Sequence, residues 1–161
     1  MAAVAVAGSV LTACSSGTPA PFRSEAPIAG SVIAARVIGE DPTFDPEAAK
    51  RPHFVPCSGL SGCARSSPEA GEFYPGVTLP PNIDDQVDYS AQFVLYLSSA
   101  TFDAATLDGA TVHVRVTKSA RGFQMVKLAQ QDVLTLASPT FSFQTADGTV
   151  LCSSSWEGCS P

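Results

Sequence analysis

The sequence has little positive charge, and this absence limits what it can bind. It contains 9 Lys and Arg against 15 Asp and Glu, so the formal net charge is −6 at pH 7. A nucleic-acid-binding protein needs excess positive charge to displace counterions from phosphates, so this balance argues against that class. No apolar run reaches the roughly 18 residues of a membrane-spanning helix. The 13 Pro and 12 Gly are too many for a helical bundle.

Residues that carry catalysis or hold cofactors are also scarce. The chain has two His, His53 in a proline-rich segment and His113 within a strand pattern, so a hydrolytic triad has few candidates. Neither a Gly-x-Ser-x-Gly motif nor a phosphate-binding glycine loop occurs. Acidic residues gather at 41–47 and 84–88, but without the alternating spacing of a dedicated calcium loop. We therefore expect no enzymatic activity, no cofactor and no bound metal.

The first 13 residues carry no charged side chain and end directly before a cysteine. A short apolar stretch that ends in small residues is typical of an export signal. The tetrad Leu-Thr-Ala-Cys at 11–14 resembles the lipobox of bacterial lipoproteins of the actinobacterial type. This resemblance implies that Cys14 receives a diacylglycerol, with palmitate among its acyl chains, and that the signal is cut just before it. The polar residues 15–21 suit a flexible tether.

The front of this segment departs from the usual pattern. A secretory signal begins with Lys or Arg, whereas here only Met1 precedes the apolar run, so we expect translation to start upstream. Two acyl chains anchor a protein stably without a membrane-spanning helix. The lipobox therefore predicts an exported protein held on the outer face of the cytoplasmic membrane, in the cell envelope. The alternative is an apolar N-terminal strand with an incidental cysteine.

The other four cysteines form an even set, Cys57, Cys63, Cys152 and Cys159. Export places them where disulfides form and persist. Their spacings are wider than those of a Cys-x-x-Cys redox motif or of paired zinc ligands. We predict structural disulfides within each close pair, Cys57 with Cys63 and Cys152 with Cys159. Crossed pairing, which would join the first half of the chain to its last strand, stays open.

Proline divides the chain, because 11 of the 13 lie at or before Pro81. We predict a signal peptide over 1–13, the lipidated cysteine and tether over 14–27, and a single domain over 28–161. The N-terminal half of that domain has long proline-rich loops. The elements predicted there are a strand over 28–38, one helical turn over 46–50, and short strands over 53–56 and 72–79.

From residue 82 onward, apolar and polar residues alternate with the period of two that is typical of half-buried strands. Val112, Val114 and Val116, for example, are separated by His113 and Arg115. Short strands between closely spaced turns predict an all-β sandwich with little helix. The predicted strands are 87–97, 111–117, 123–128, 133–136, 140–145 and 149–152, with turns at 108–109, 121–122 and 147–148.

The stretch from Thr111 to Val150 contains Ser-Pro-Thr-Phe-Ser-Phe-Gln-Thr-Ala-Asp-Gly at 138–148. A strand with two Phe on one face, followed by an Asp-Gly turn and a final strand, is similar to the telokin-like, immunoglobulin-type domains of secreted bacterial proteins. The resemblance implies an immunoglobulin-like β-sandwich. It transfers no catalytic residue to this chain.

Charge is segregated along the second half of the domain. Residues 84–108 hold five acids and no base, whereas 109–127 hold four bases and no acid. This pattern predicts either ion pairs between neighbouring strands or a basic patch that contacts anionic lipid headgroups or a cell-wall polymer. Trp156 lies within the Cys152–Cys159 loop, where it could fill the loop or anchor a partner. The candidate partner surface is Arg115, Lys118, Arg121, Lys127 and Trp156.

The lipobox together with the missing catalytic motifs predicts a non-enzymatic binding or accessory lipoprotein of the cell envelope. Its partners would be the membrane, through the diacylglyceryl cysteine, and an envelope protein, a lipid or a cell-wall polymer. The alternative is a carrier that holds a lipid or another apolar ligand in a cavity between the sheets. In that case the cavity would be lined by Phe93, Phe123, Phe141 and Phe143.

Overall fold

A computed structural model describes residues 27–50, 53–58, 74, 76–88, 92–128, 139–154 and 158–160. Most residues of the described part lie in β-strands and few lie in helix, so the expected all-β fold with little helix is confirmed. The strands are β1 (Ser31–Val32), β2 (Ala35–Asp41), β3 (Phe54–Ser58), β4 (Phe93–Asp108), β5 (Thr111–Leu128), β6 (Thr140–Gln144) and β7 (Val150–Ser154). The helical elements are α1 (Pro46–Ala49) and a 3₁₀ turn (Asp84–Gln86).

The long hairpin of β4 and β5 organises the sheet. It turns at Gly109 and Ala110, between the paired residues Asp108 and Thr111, one residue later than the expected turn at 108–109; the φ of 57° at Gly109 suits the first position of a two-residue connection. Residues 93–98 of β4 and 123–128 of β5 lie between β3 and β2, and this part is called the first half-sheet. The rest of the hairpin lies between β1 and β6, with β7 beyond β6, and this part is called the second half-sheet. β6 runs parallel to β5.

The two half-sheets pack face to face, which makes the fold sandwich-like. Phe93 of the first half-sheet meets Phe141 of the second at a ring-centroid distance of 5.5 Å. Phe54 stacks on Phe143 at 4.8 Å. Side chains along a strand point alternately to its two faces. Phe93, Leu95 and Leu97 therefore face inward and form part of this core, whereas the residues between them face outward.

A second apolar cluster covers the outer face of the first half-sheet. Tyr74 is fully buried there, with its ring 4.8 Å from that of Phe123 and 5.8 Å from that of Tyr96. The proline-rich half of the domain therefore contributes side chains that cover the sheet. The prediction of a strand over 72–79 is wrong for the residues of this range that the structure describes. Tyr74, Val77 and Leu79 pack onto the sheet and do not pair with it.

The end of the chain links the two half-sheets. Phe54 of β3 and Cys159 exchange backbone hydrogen bonds of 3.0 and 2.9 Å. Cys159 is also joined by a disulfide to Cys152 of β7, with 6.1 Å between the Cα atoms. The predicted Cys152–Cys159 pairing is confirmed. The backbone of Cys57 lies in β3, whereas its predicted pairing with Cys63 lies outside the described residues, as do the strand over 133–136 and Trp156.

The turn predicted at Arg121-Gly122 is wrong, because β5 continues through it. Ala100 pairs with Lys118 and Ser98 pairs with Phe123, so the four residues 119–122 face Ser99 alone. This insertion, called the β5 bulge, bends the hairpin between the two half-sheets. Gly122 has a φ of 113°, and glycine signals a bulge as readily as a turn.

Of two other predicted elements in the N-terminal half, one differs in the structure and one is confirmed. The strand expected over 28–38 is divided into β1 and β2, and Ile33 between them donates its N–H to the Ala105 carbonyl over 2.8 Å. The chain thereby crosses from the second half-sheet to the first. The helical turn at α1 is confirmed, and Asp45 caps it by accepting from the Glu47 N–H at 3.1 Å.

Candidate functional site

The four basic residues of the predicted partner surface are distributed along β5. Twelve positions separate Arg115 from Lys127, which is about 40 Å of extended chain. Three of them sit opposite apolar residues of β4: Arg115 faces Ala104, Lys118 faces Ala100, and Lys127 faces Val94. The strand register therefore does not place these three bases opposite acidic residues of β4.

These basic residues also belong to different parts of the sheet. Lys127 lies in the first half-sheet, next to Arg36 of β2, and its Nζ donates to the Gln86 carbonyl over 2.8 Å. Arg115 lies in the second half-sheet beside Gln144 of β6. Lys118, which directly precedes the β5 bulge, and Arg121 within it are both exposed. Of the four basic residues, only Lys118 and Arg121 therefore lie near each other at the bend.

A cleft of about 110 Å³ opens at this bend, between β2 and the β5 bulge. Pockets that bind drug-sized ligands measure about 300–1,000 Å³, so this cleft suits only a small group. Its polar side chains are those of Glu40, Thr101, Ser119, Arg121 and Gln124.

Strand pairing explains why polar side chains face this cleft. Glu40 pairs with Gln124, and Gln124 pairs with Leu97 of the inner core. Because paired residues share a face of the sheet, Glu40 and Gln124 lie on the inner side, at the end of the sandwich. The pairing that brings them together joins positions 84 residues apart. Sequence reasoning missed both of them for that reason.

The amide of Gln124 connects the two half-sheets. Its Oε1 accepts from the Phe102 N–H at 2.7 Å, and its Nε2 donates to Oε2 of Glu40 at 3.3 Å. The first of these bonds sets which end of the amide carries the oxygen, so the Nε2 end must point to the carboxylate. The backbone of the bulge is held as well, since Ser119 Oγ donates to the Arg121 carbonyl at 2.8 Å.

The two histidines lie in different parts of the fold. The backbone of His53 lies where β3 meets β4 and the chain end, donating to Ser160 Oγ at 3.3 Å and accepting from the Ser98 N–H at 2.7 Å. His113 lies between Thr106 and Ser142 in the second half-sheet. Within the ranges that the structure describes, no group of three His, Cys, Asp or Glu side chains could hold a metal ion.

The acidic segment 41–47 proves to be partly structural. Asp41 is only 5% exposed and accepts hydrogen bonds from the Thr43 hydroxyl at 2.7 Å, the Thr43 N–H at 2.9 Å and the Thr78 N–H at 2.8 Å. Burial alone would raise the pKa of Asp41, but these hydrogen bonds outweigh it and lower the pKa below its ordinary value. Asp41 thus joins β2 to the segment that covers the first half-sheet.

The four phenylalanines proposed as the lining of a carrier cavity lie on two sides of the first half-sheet. Phe93, Phe141 and Phe143 belong to the core between the half-sheets, whereas Phe123 belongs to the outer cluster with Tyr74. All four are at most 1% exposed. The rings in each cluster are in direct contact, so the four do not surround one common space.

Cys14, Cys63 and Trp156 lie outside the described residues. Across the described ranges, no helix has both the length and the apolar character needed to cross a membrane. Comparison with protein-family models, curated proteins and solved structures found no match to this chain.

Proposed function

We propose that this protein is a non-enzymatic binding or accessory lipoprotein of the cell envelope, anchored through Cys14 to the outer face of the cytoplasmic membrane. The observation that carries the proposal is the tetrad Leu-Thr-Ala-Cys at 11–14, which follows a short uncharged segment and precedes a polar one. A diacylglyceryl group on Cys14 supplies two acyl chains, which suffice for stable anchoring.

The position of the tether supports this arrangement. Residues 14–27, when extended, span about 45 Å, which allows the domain to stand clear of the lipid surface. The chain then joins the second half-sheet beside the β4–β5 turn, where Ser31 pairs with Leu107. Gly30 permits this close approach, because a side chain there would meet the Leu107 carbonyl oxygen at 2.2 Å.

The binding role is supported by the cleft at the bend and by the two exposed cations beside it, Lys118 and Arg121. The tether joins the sheet near the start of β5, at Thr111. Lys118 lies seven residues further along this strand, which corresponds to about 25 Å, and Arg121 and the cleft lie beyond it. A partner from the cell envelope can therefore reach the bend while the domain stays tethered. The partner classes proposed are an envelope protein, a lipid and a cell-wall polymer.

The anchor is tested by fractionating cells that express the full chain from its own locus. We expect the unchanged protein and a Ser15→Ala control in the detergent-soluble membrane fraction, because both retain the thiol at position 14. The Cys14→Ser variant lacks the acceptor thiol and should leave that fraction. Equal membrane association of all three proteins would contradict the proposal.

The accessory role is tested by cross-linking in intact cells, followed by identification of bound proteins and extracted lipids. We expect specific adducts that are lost in the Cys14→Ser variant, because the unanchored domain no longer meets its partner at the membrane. Recovery of the same adducts in similar amounts from both proteins would show that anchoring does not direct the interaction.

A further inference from the structure

Residues 76–88, called the strap, lie on the outer face of the first half-sheet without joining it. The structure describes the backbone of the whole strap, and no part of it pairs as a strand. Its described backbone hydrogen bonds stay within 74–86, as in the bond from the Gln86 N–H to the Ile83 carbonyl at 3.1 Å. The ladder of the sheet therefore does not depend on where the strap lies.

Two charged side chains of the sheet hold the backbone of the strap. Asp41 Oδ2 accepts from the Thr78 N–H at 2.8 Å, and Lys127 Nζ donates to the Gln86 carbonyl at 2.8 Å. Lys127 pairs with Arg36 of β2, so the two contacts lie five positions apart along that strand, which is about 15 Å. When these bonds break, water can hydrate the groups that they release.

The apolar contacts of the strap are modest. Four of its apolar side chains belong to the outer cluster, and of these Ile83 is 5% exposed, whereas Val77, Leu79 and Val87 are half-buried. A half-buried side chain stabilises a contact less than a fully buried one, because less apolar area leaves water. Removing the strap should therefore cost less free energy than unfolding the sheet beneath it, where Met125 is fully buried.

Gly39 of β2 is the position at which the strap approaches the sheet most closely. A Cβ added there would lie 2.1 Å from Cδ1 of Ile83 and 3.2 Å from Cδ2 of Leu79, and the third atom near it, at 3.6 Å, also belongs to Ile83. The strap thus occupies the space that a side chain at position 39 would need. The sheet itself leaves room for one.

We propose that the strap is an openable cover, which moves off the outer face as a unit while the seven-stranded sheet stays paired. At its start, Gly76 has a φ of 91° and nothing within 4 Å of an added Cβ, so the chain has space to rotate there. Opening uncovers part of the outer cluster, which includes Val94 and Met125. The protein thereby holds an apolar face that is accessible only in the open form.

The opening is tested by native-state hydrogen exchange of the full-length Cys14→Ser chain, which cannot be acylated and needs no detergent. We expect the Thr78 and Gln86 amides to exchange at least about a hundredfold faster than the amides of 94–97 and 124–127. Their exchange should also depend weakly on urea, since opening the strap exposes little surface. Strap amides that match the sheet amides in rate or in urea dependence would overturn the proposal.

Gly39→Ala tests the seat of the strap directly. The added Cβ meets Cδ1 of Ile83, so the closed form is destabilised and the Thr78 and Gln86 amides should exchange about tenfold faster. The matched control is Ile83→Val, which lacks Cδ1. Adding Gly39→Ala to Ile83→Val should change the exchange of these amides less than about threefold. Unchanged exchange in Gly39→Ala, or equal acceleration in both backgrounds, would overturn the assignment of Gly39 as the seat of the cover.

Discussion

Asp41 shows how one residue can join distant parts of this chain. Its carboxylate accepts from Thr43, two positions away, and from the backbone N–H of Thr78, which is 37 positions away. The sequence places it in an acidic, proline-containing segment that is typical of a solvated loop. Its burial could not be predicted, because it depends on a segment that returns to the sheet much later in the chain.

Asp41 should make stability depend on pH at the acidic end. Its pKa is lower in the folded protein than its ordinary value of 3.8, so the stabilisation is fully present above that value. It is lost as the pH falls from 3.8 through the folded-state pKa. Asp41→Asn should lower the free energy of unfolding at pH 7 by about 1–3 kcal/mol and flatten this part of the pH dependence. Urea unfolding at pH 7 and pH 3 measures both effects.

Asp45→Asn is the control for that experiment, since Asp45 is exposed and Asn is an equally good helix N-cap. We expect it to change the free energy of unfolding by a few tenths of a kcal/mol. If Asp41→Asn and the unchanged protein lost the same stability between pH 7 and pH 3, the role assigned to the Asp41 carboxylate would be wrong.

At the scale of the element, alternation predicted β6 and the inward-facing valines of β5 well. Phe141 and Phe143 lie on one face of β6, and Val112, Val114 and Val116 are buried in the same core. The β5 bulge could not be predicted in the same way. A glycine with positive φ gives the same local signal in a turn and in a bulge, and only the pairing of 123–128 with β4 distinguishes the two.

Gly122 should therefore be sensitive to substitution for a backbone reason. Its φ of 113° is rare for residues with a side chain, while the nearest atoms to an added Cβ would be 3.7 Å away. Gly122→Ala should lower the free energy of unfolding by about 1–3 kcal/mol through backbone strain. Gly109→Asn is the control, since its φ of 57° lies in the left-handed region that Asn tolerates. Equal unfolding midpoints in urea for the two variants would contradict this account.

At the scale of the whole molecule, composition and periodicity predicted the fold class, whereas the meeting of the half-sheets depends on contacts that no local pattern shows. The bridge between Phe54 and Cys159 joins β3 to the end of the chain, and the disulfide continues the link to β7. The cleft has the same origin, because β2 and the β5 bulge meet only in the folded sheet.

Removal of this disulfide measures how much the covalent link contributes. Replacement of Cys152 and Cys159 by Ala should lower the free energy of unfolding by about 2.5 kcal/mol, as expected for so short a loop. Urea unfolding under non-oxidising and non-reducing conditions gives the value. The unchanged protein treated with a reductant is the control and should approach the variant. A variant as stable as the oxidised protein would show that the backbone bridge alone holds β3 to the chain end.

The central claim, that Cys14 is a lipid anchor, is tested most directly by the intact mass of the protein extracted from membranes. The account predicts a mature chain that begins at Cys14 and carries the added mass of a diacylglyceryl group. A chain that retains residues before Cys14, or that has a free thiol at Cys14, would contradict it.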